Sequence, residues 1–214
     1  MAEHTTETQP YPVRFSVAFP DHQLNKLSTA LRLVWAIPIL IVAGAVAGGH
    51  GLWSAEDSRS SFIGAAGLLI FAPAVMIIFR QKYPRWWFDW NRELQSFSNR
   101  VVAYLALMTD QYPATDEEQT VHLDYTYPDV GRDINRWMPI VKWFLAIPHY
   151  IVLFFLSIGA FFAVIFAWFA ILFTGRYPRG LFDYVEGVLR WHNRVVGYAF
   201  ALVTDRYPPF RLTP

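Results

Sequence analysis

The chain of 214 residues contains no cysteine. That absence excludes disulfide staples, thiolate metal sites, iron–sulfur ligation and cysteine nucleophiles, and it leaves the redox compartment unread. Charge is scarce as well: Asp, Glu, Lys and Arg make up 16% of the residues. Eighteen basic side chains against 17 acidic ones leave no global field to attract nucleic acid or an acidic substrate. The opening "MAEHTTETQP" has neither a basic n-region nor an apolar h-region, so no cleavable signal peptide is expected, and residues 1–10 read as disordered. Catalytic signatures are also missing. There is no glycine-rich phosphate cradle after a strand, no HExxH, no GxSxG and no thiol ligand pair.

What the chain has in excess is apolar surface, 54% hydrophobic and 18% aromatic, which points to a membrane protein. Two stretches, 27–49 and 62–79, have the length and composition of membrane spans. A third, 137–173, is too long for one span. It reads as a tight hairpin of spans 137–156 and 159–174, turning near Ser157 to Gly159, with one long helix as the rival. Basic residues flank these runs on one side: Arg14 and Lys26, then Arg80 to Arg100, Arg132 and Arg136, and Arg176 to Arg194. By the positive-inside rule both termini face the cytoplasm. Arg32 and Lys142 sit inside their runs near that side and are expected to snorkel to the head groups. Pro38, Pro73 and Pro148 are expected to kink their helices.

The two halves repeat each other. "VRFSVAFP" from Val13 matches "VHLDYTYP" from Val121, "RLVWAIP" from Arg32 matches "KWFLAIP" from Lys142, and "TDQYP" from Thr109 matches "TDRYP" from Thr204. Between them, Tyr83, Pro84, Arg85, Phe88, Asp89, Asn99, Arg100 and Tyr104 match Tyr177, Pro178, Arg179, Phe182, Asp183, Asn193, Arg194 and Tyr198. The expected fold is therefore a mainly α, polytopic membrane protein of two parallel tandem repeats, 11–113 and 121–214, joined by a linker at 114–120. Each repeat would hold a strand, a transmembrane helical hairpin and an amphipathic interfacial helix, at about 86–108 and about 181–203. Strict alternation in the two strands predicts a small cytoplasmic β-sheet, the strands pairing with each other or with "PPFRLTP". Trp86, Trp87, Trp90 and Trp191 suit an interfacial aromatic belt.

"LAIPHY", "FTGRYPRGLFD", "NRVVGYAF" and "TDRYPPF" together resemble the bacterial membrane-protein family catalogued as domain of unknown function 4389, and both halves carry the pattern, the second more faithfully. The resemblance implies an integral membrane protein, here assigned to the bacterial inner membrane as a multi-pass chain, and it brings no reaction or catalytic residue.

Candidate site residues follow from the repeat. Arg85, Asn99, Arg100, Arg179, Asn193 and Arg194 are candidates to bind lipid head groups. Asp89 and Asp183 are candidates to cap their helices. His149 and His192 occur in the second half alone, with Ile39 and Ser98 at the matching places. Two histidines without a third ligand point to no metal and no cofactor. The expected partners are membrane lipids and other membrane subunits or a second copy of the chain, with no nucleic acid. The first functional expectation is a non-catalytic structural or accessory subunit of a larger membrane assembly. Its alternatives are a lipid or hydrophobic-ligand binder and an enzyme acting on a lipid head group.

Overall fold

A computed structural model describes residues 11–46, 72–115 and 117–214. The expected disordered start, the end of the first span, most of the second and the loop joining them lie outside the described residues. The architecture is mainly helical with a small two-stranded antiparallel sheet, β1 Val13–Val17 and β2 Val121–Tyr125. The strands pair with each other, Phe15 opposite Leu123, Val13 opposite Tyr125 and Val17 opposite Val121. Alternation explains the strands: Val13, Phe15, Val17, Val121 and Tyr125 are buried while Arg14, Ser16, His122 and Asp124 are exposed. The C-terminal residues form no strand.

The helices are α1 Lys26–Ala30, α2 Arg32–Val46, α3 at 72–80, α4 Arg85–Leu105, α5 Val130–Asp133, α6 Met138–Leu145, α7 Ile147–Thr174 and α8 Arg179–Ala199. Helices α4 and α8 cross over: α4 packs on β2 and α8 on β1. Apolar spacing drives this, since α8 turns Phe182, Val185, Val188, Val195 and Ala199 inward. A Cβ on Gly197 would overlap Val13 Cγ2, so glycine lets β1 lie directly on α8. The principal core joins the inner faces of both strands to Ala163, Ala167 and Ile171 of α7 and to Phe182 and Val185 of α8.

The expected hairpin is corrected by α7, which runs as one helix of 28 residues through Ser157 to Gly159. At 1.5 Å per residue it is about 42 Å long. Ser157 and Gly159 stand among apolar helix-compatible residues, and the helix satisfies every backbone group there, which a turn in an apolar stretch would not. The glycine serves contact instead. A Cβ there would run into Tyr184 of α8, whose hydroxyl donates to Leu156 O at 3.0 Å. The break falls earlier, at Ala146, because Pro148 has no N–H to return to Phe144. Helix α7 ends at Gly175, in the left-handed region at φ 73°, and α8 then doubles back along it. The amphipathic helix thus packs beside α7 rather than lying free. Helix α7 is also the one described helix long and apolar enough to cross a membrane.

Candidate functional site

Most buried polar chemistry is structural, and it occurs in matched places. Arg32 and Lys142 are buried, not snorkelled. Arg32 donates to Thr109 O at 3.0 Å and pairs with Asp110 at 2.6 Å. Lys142 donates to Thr204 O at 2.8 Å and pairs with Asp205 at 2.7 Å. The remaining oxygen of each aspartate accepts a backbone N–H, from Asn25 at 2.8 Å and from Asn135 at 2.7 Å. Each cation also lies over a tyrosine ring, Tyr104 at 4.1 Å and Tyr198 at 5.2 Å. A desolvated charge in an apolar surround needs a partner, and the "TD" turn supplies a carboxylate and a carbonyl together. A cation before "AIP" and a "TD" turn in both halves were visible in the sequence and would have suggested the clamp. The turns themselves are held by Leu107 and Leu202, both in the left-handed region at φ 63° and 54° and both buried.

The expected head-group residues do not converge on one pocket. Asn99 and Asn193 are buried and form a reciprocal amide pair, at 2.7 Å and 3.0 Å. Arg85 lies 5.1 Å over the Tyr127 ring and Arg179 4.0 Å over Phe19, each guanidinium reaching the second residue past the other half's strand. Arg100 donates to Ala114 O at 2.6 Å. Arg194 donates to Arg211 O at 3.1 Å and Thr213 O at 2.8 Å.

Neither aspartate caps its helix. The cap positions are Pro84 and Pro178, without a side-chain cap, and Asp89 and Asp183 stand more than a turn inside, beyond reach of the free N–H groups. The proline carbonyls take first-turn donors instead, Pro84 O accepting from Trp87 and Phe88 N–H and Pro178 O from Leu181 and Phe182 N–H.

His149 is fully buried, and its Nδ1 accepts from Trp191 Nε1 at 3.1 Å. Phe210 stacks on its ring at 4.0 Å and Tyr207 leans on it at 4.7 Å. Trp191 is thereby a core residue, not part of an interfacial belt, whereas Trp86 and Trp90 are exposed. His192 is exposed on α8. The histidines are not brought together, and no group of three or more metal-ligating residues occurs among the described residues.

Two cavities stand out. One, about 670 Å³, is apolar and lies between α2, α4, α7 and α8, lined by Leu33, Leu105, Phe161, Val164, Trp168 and Val188 among others. The other, about 520 Å³, lies against the exposed face of the sheet and the C-terminal tail. Arg14, Arg190 and Arg211 there escaped the sequence reading, because nothing local joins a strand, a helix and a tail.

A family model described as Domain of unknown function (DUF4389) matches residues 136–211, which supports that family for the stretch holding Lys142, α7, α8 and Asp205. No curated protein matches the chain, and no solved structure does.

Proposed function

We propose that this chain is a non-catalytic membrane protein acting as a structural or accessory subunit of a larger membrane assembly. The observation that carries the reading is the outer face of α7, where Phe154, Phe155, Phe161, Phe162, Phe166 and Phe173 are all exposed. An apolar face of this extent needs lipid or partner helices to cover it. The exposed Leu33, Trp35, Ile37 and Ile41 of α2 extend the same demand to the first half. The buried cations Arg32 and Lys142, meanwhile, are tied to carbonyls and carboxylates, which supports a structural role for them.

The finer reading is a multi-pass protein of the bacterial inner membrane, both termini cytoplasmic, built from two tandem copies of one unit. Its basis in sequence is the apolar runs and their basic flanks. Duplication is further supported by contacts repeated at matching residues: the Arg32 and Lys142 clamps, the self-matched Asn99–Asn193 pair, and a sheet whose register is centred on the matched Phe15 and Leu123. With α7 unbroken, an even count of spans in each unit no longer argues for parallel copies. The repeated contacts support a local two-fold between the halves without fixing its axis. Extraction from the native membrane in mild detergent should yield a complex with a companion subunit or a second copy. A lone monomer would refute the subunit reading.

The 670 Å³ apolar cavity favours a second reading, the binding of a lipid chain or other hydrophobic ligand. Native mass spectrometry should then show retained lipid, and a brominated acyl chain should quench Trp168. Neither effect is expected if the cavity is only a gap between helices.

A further inference from the structure

The 520 Å³ cavity is lined by four arginines from three parts of the chain: Arg14 of β1, Arg190 and Arg194 of α8, and Arg211 of the tail. Asp124 is the one lining residue with a carboxylate side chain. Glu186 stands behind, held by Arg190 and by the backbone N–H of Val17. Even with the Pro214 main-chain carboxylate counted beside Asp124 and Glu186, four guanidiniums outnumber three carboxylates. Arg14 and Arg211 are exposed, and neither side chain has an ion pair or hydrogen bond among the described residues.

Arg194 is 3% exposed, and its Nε is buried without a partner. Burial holds its pKa below the ordinary arginine value, and the charges of Arg211 and Arg190 depress it further. The cations therefore crowd one another around open space, with donors still unmet. Ser16 and His122, exposed from the two strands, add further polar groups to the same wall.

We propose that this cavity binds a phosphate-type oxyanion, with Arg14 and Arg211 as the contacting guanidinium forks and Arg194 as the buried cation behind them. A planar fork gives two parallel N–H donors to one oxyanion, and an anion between the arginines turns their mutual repulsion into attraction. A free phosphate compound and a phospholipid head group offer the same chemistry. The cavity joins β1 of the first half to α8 and the tail of the second, and α4 does not repeat it, since Ser96 occupies the place on α4 that Arg190 holds on α8. It stands independently of whether α7 crosses a bilayer.

The test uses the full chain in detergent, titrated with inorganic phosphate by calorimetry, and in flotation with phosphatidylcholine vesicles made with or without phosphatidic acid. At least one probe should bind. Arg14→Gln with Arg211→Gln should weaken that binding by about tenfold or more. Asp124→Asn should strengthen it several-fold, a gain that loss of folding cannot imitate. Saturation by inorganic phosphate identifies a free ligand, and retention by phosphatidic acid vesicles alone identifies a head group. The proposal is overturned if neither probe binds, if the double variant binds as the parent does, or if Asp124→Asn brings no gain.

Discussion

Lys142 is fully buried, and Asp205 and the Thr204 carbonyl meet its amine. Removing the carboxylate strands the ammonium in an apolar surround. Asp205→Ala is expected to destabilise by about 3–5 kcal/mol, read as a fall in Tm in detergent. Replacing both partners together, Lys142→Met with Asp205→Leu, should cost much less, because no unpaired charge remains. A smaller residue-scale strain sits at Gln81, which ends α3 in the left-handed region at φ 45°, as Gly175 ends α7 at φ 73°. Glycine adopts that conformation without the Cβ clash. Gln81→Gly should therefore raise stability by roughly 1 kcal/mol, and an unchanged or lower Tm would show that the side chain makes compensating contacts.

At the scale of elements, the length of α7 determines how α8 can pack. A hairpin turning at Gly159 would have ended the surface that Phe182, Val185 and Trp191 now share with α7. Ser157 is exposed and helical, so a proline there tests the backbone alone. Ser157→Pro should cost about 3 kcal/mol or more in a continuous helix, whereas a turn would absorb it with little loss. Gly159→Leu tests the helix crossing. With Tyr184 so close, the larger side chain must push α8 away, and the Tyr184 to Leu156 hydrogen bond should break, which tyrosine fluorescence and the melting curve will both register.

Across the whole molecule, the halves meet at the sheet and at Asn99–Asn193. A buried amide that loses its partner forfeits its hydrogen bonds while remaining desolvated. Asn99→Leu or Asn193→Leu alone should each cost roughly 1–3 kcal/mol, and the double substitution should cost clearly less than the sum. Additive losses would mean that the amides act separately and that this contact does not couple the halves. The same layout places the phenylalanine face of α7 and the polar outer face of β1 and β2 on different surfaces of one core. Charge and apolar area are thus segregated although the composition is nearly neutral.

The sequence by itself determined what depends on short-range periodicity. Alternation marked both strands, an apolar stripe interrupted by Asp183, Glu186 and Arg190 marked α8, and unbroken hydrophobicity marked α7 as membrane-compatible. Likeness between the halves identified Asn99, Asn193, Arg100 and Arg194 as worth attention. It could not assign them roles, because an amide or guanidinium looks the same in sequence whether it meets lipid, another amide or a carbonyl. Only the tertiary structure decided that Arg32 and Lys142 are clamped inward, that Gly159 is a contact and not a turn, and that Arg14, Arg190, Arg194 and Arg211 share one cavity. The physical reason is range. Propensity and periodicity act within a few residues, whereas desolvated charges find partners wherever the packed chain brings a carboxylate or carbonyl, here more than sixty positions away.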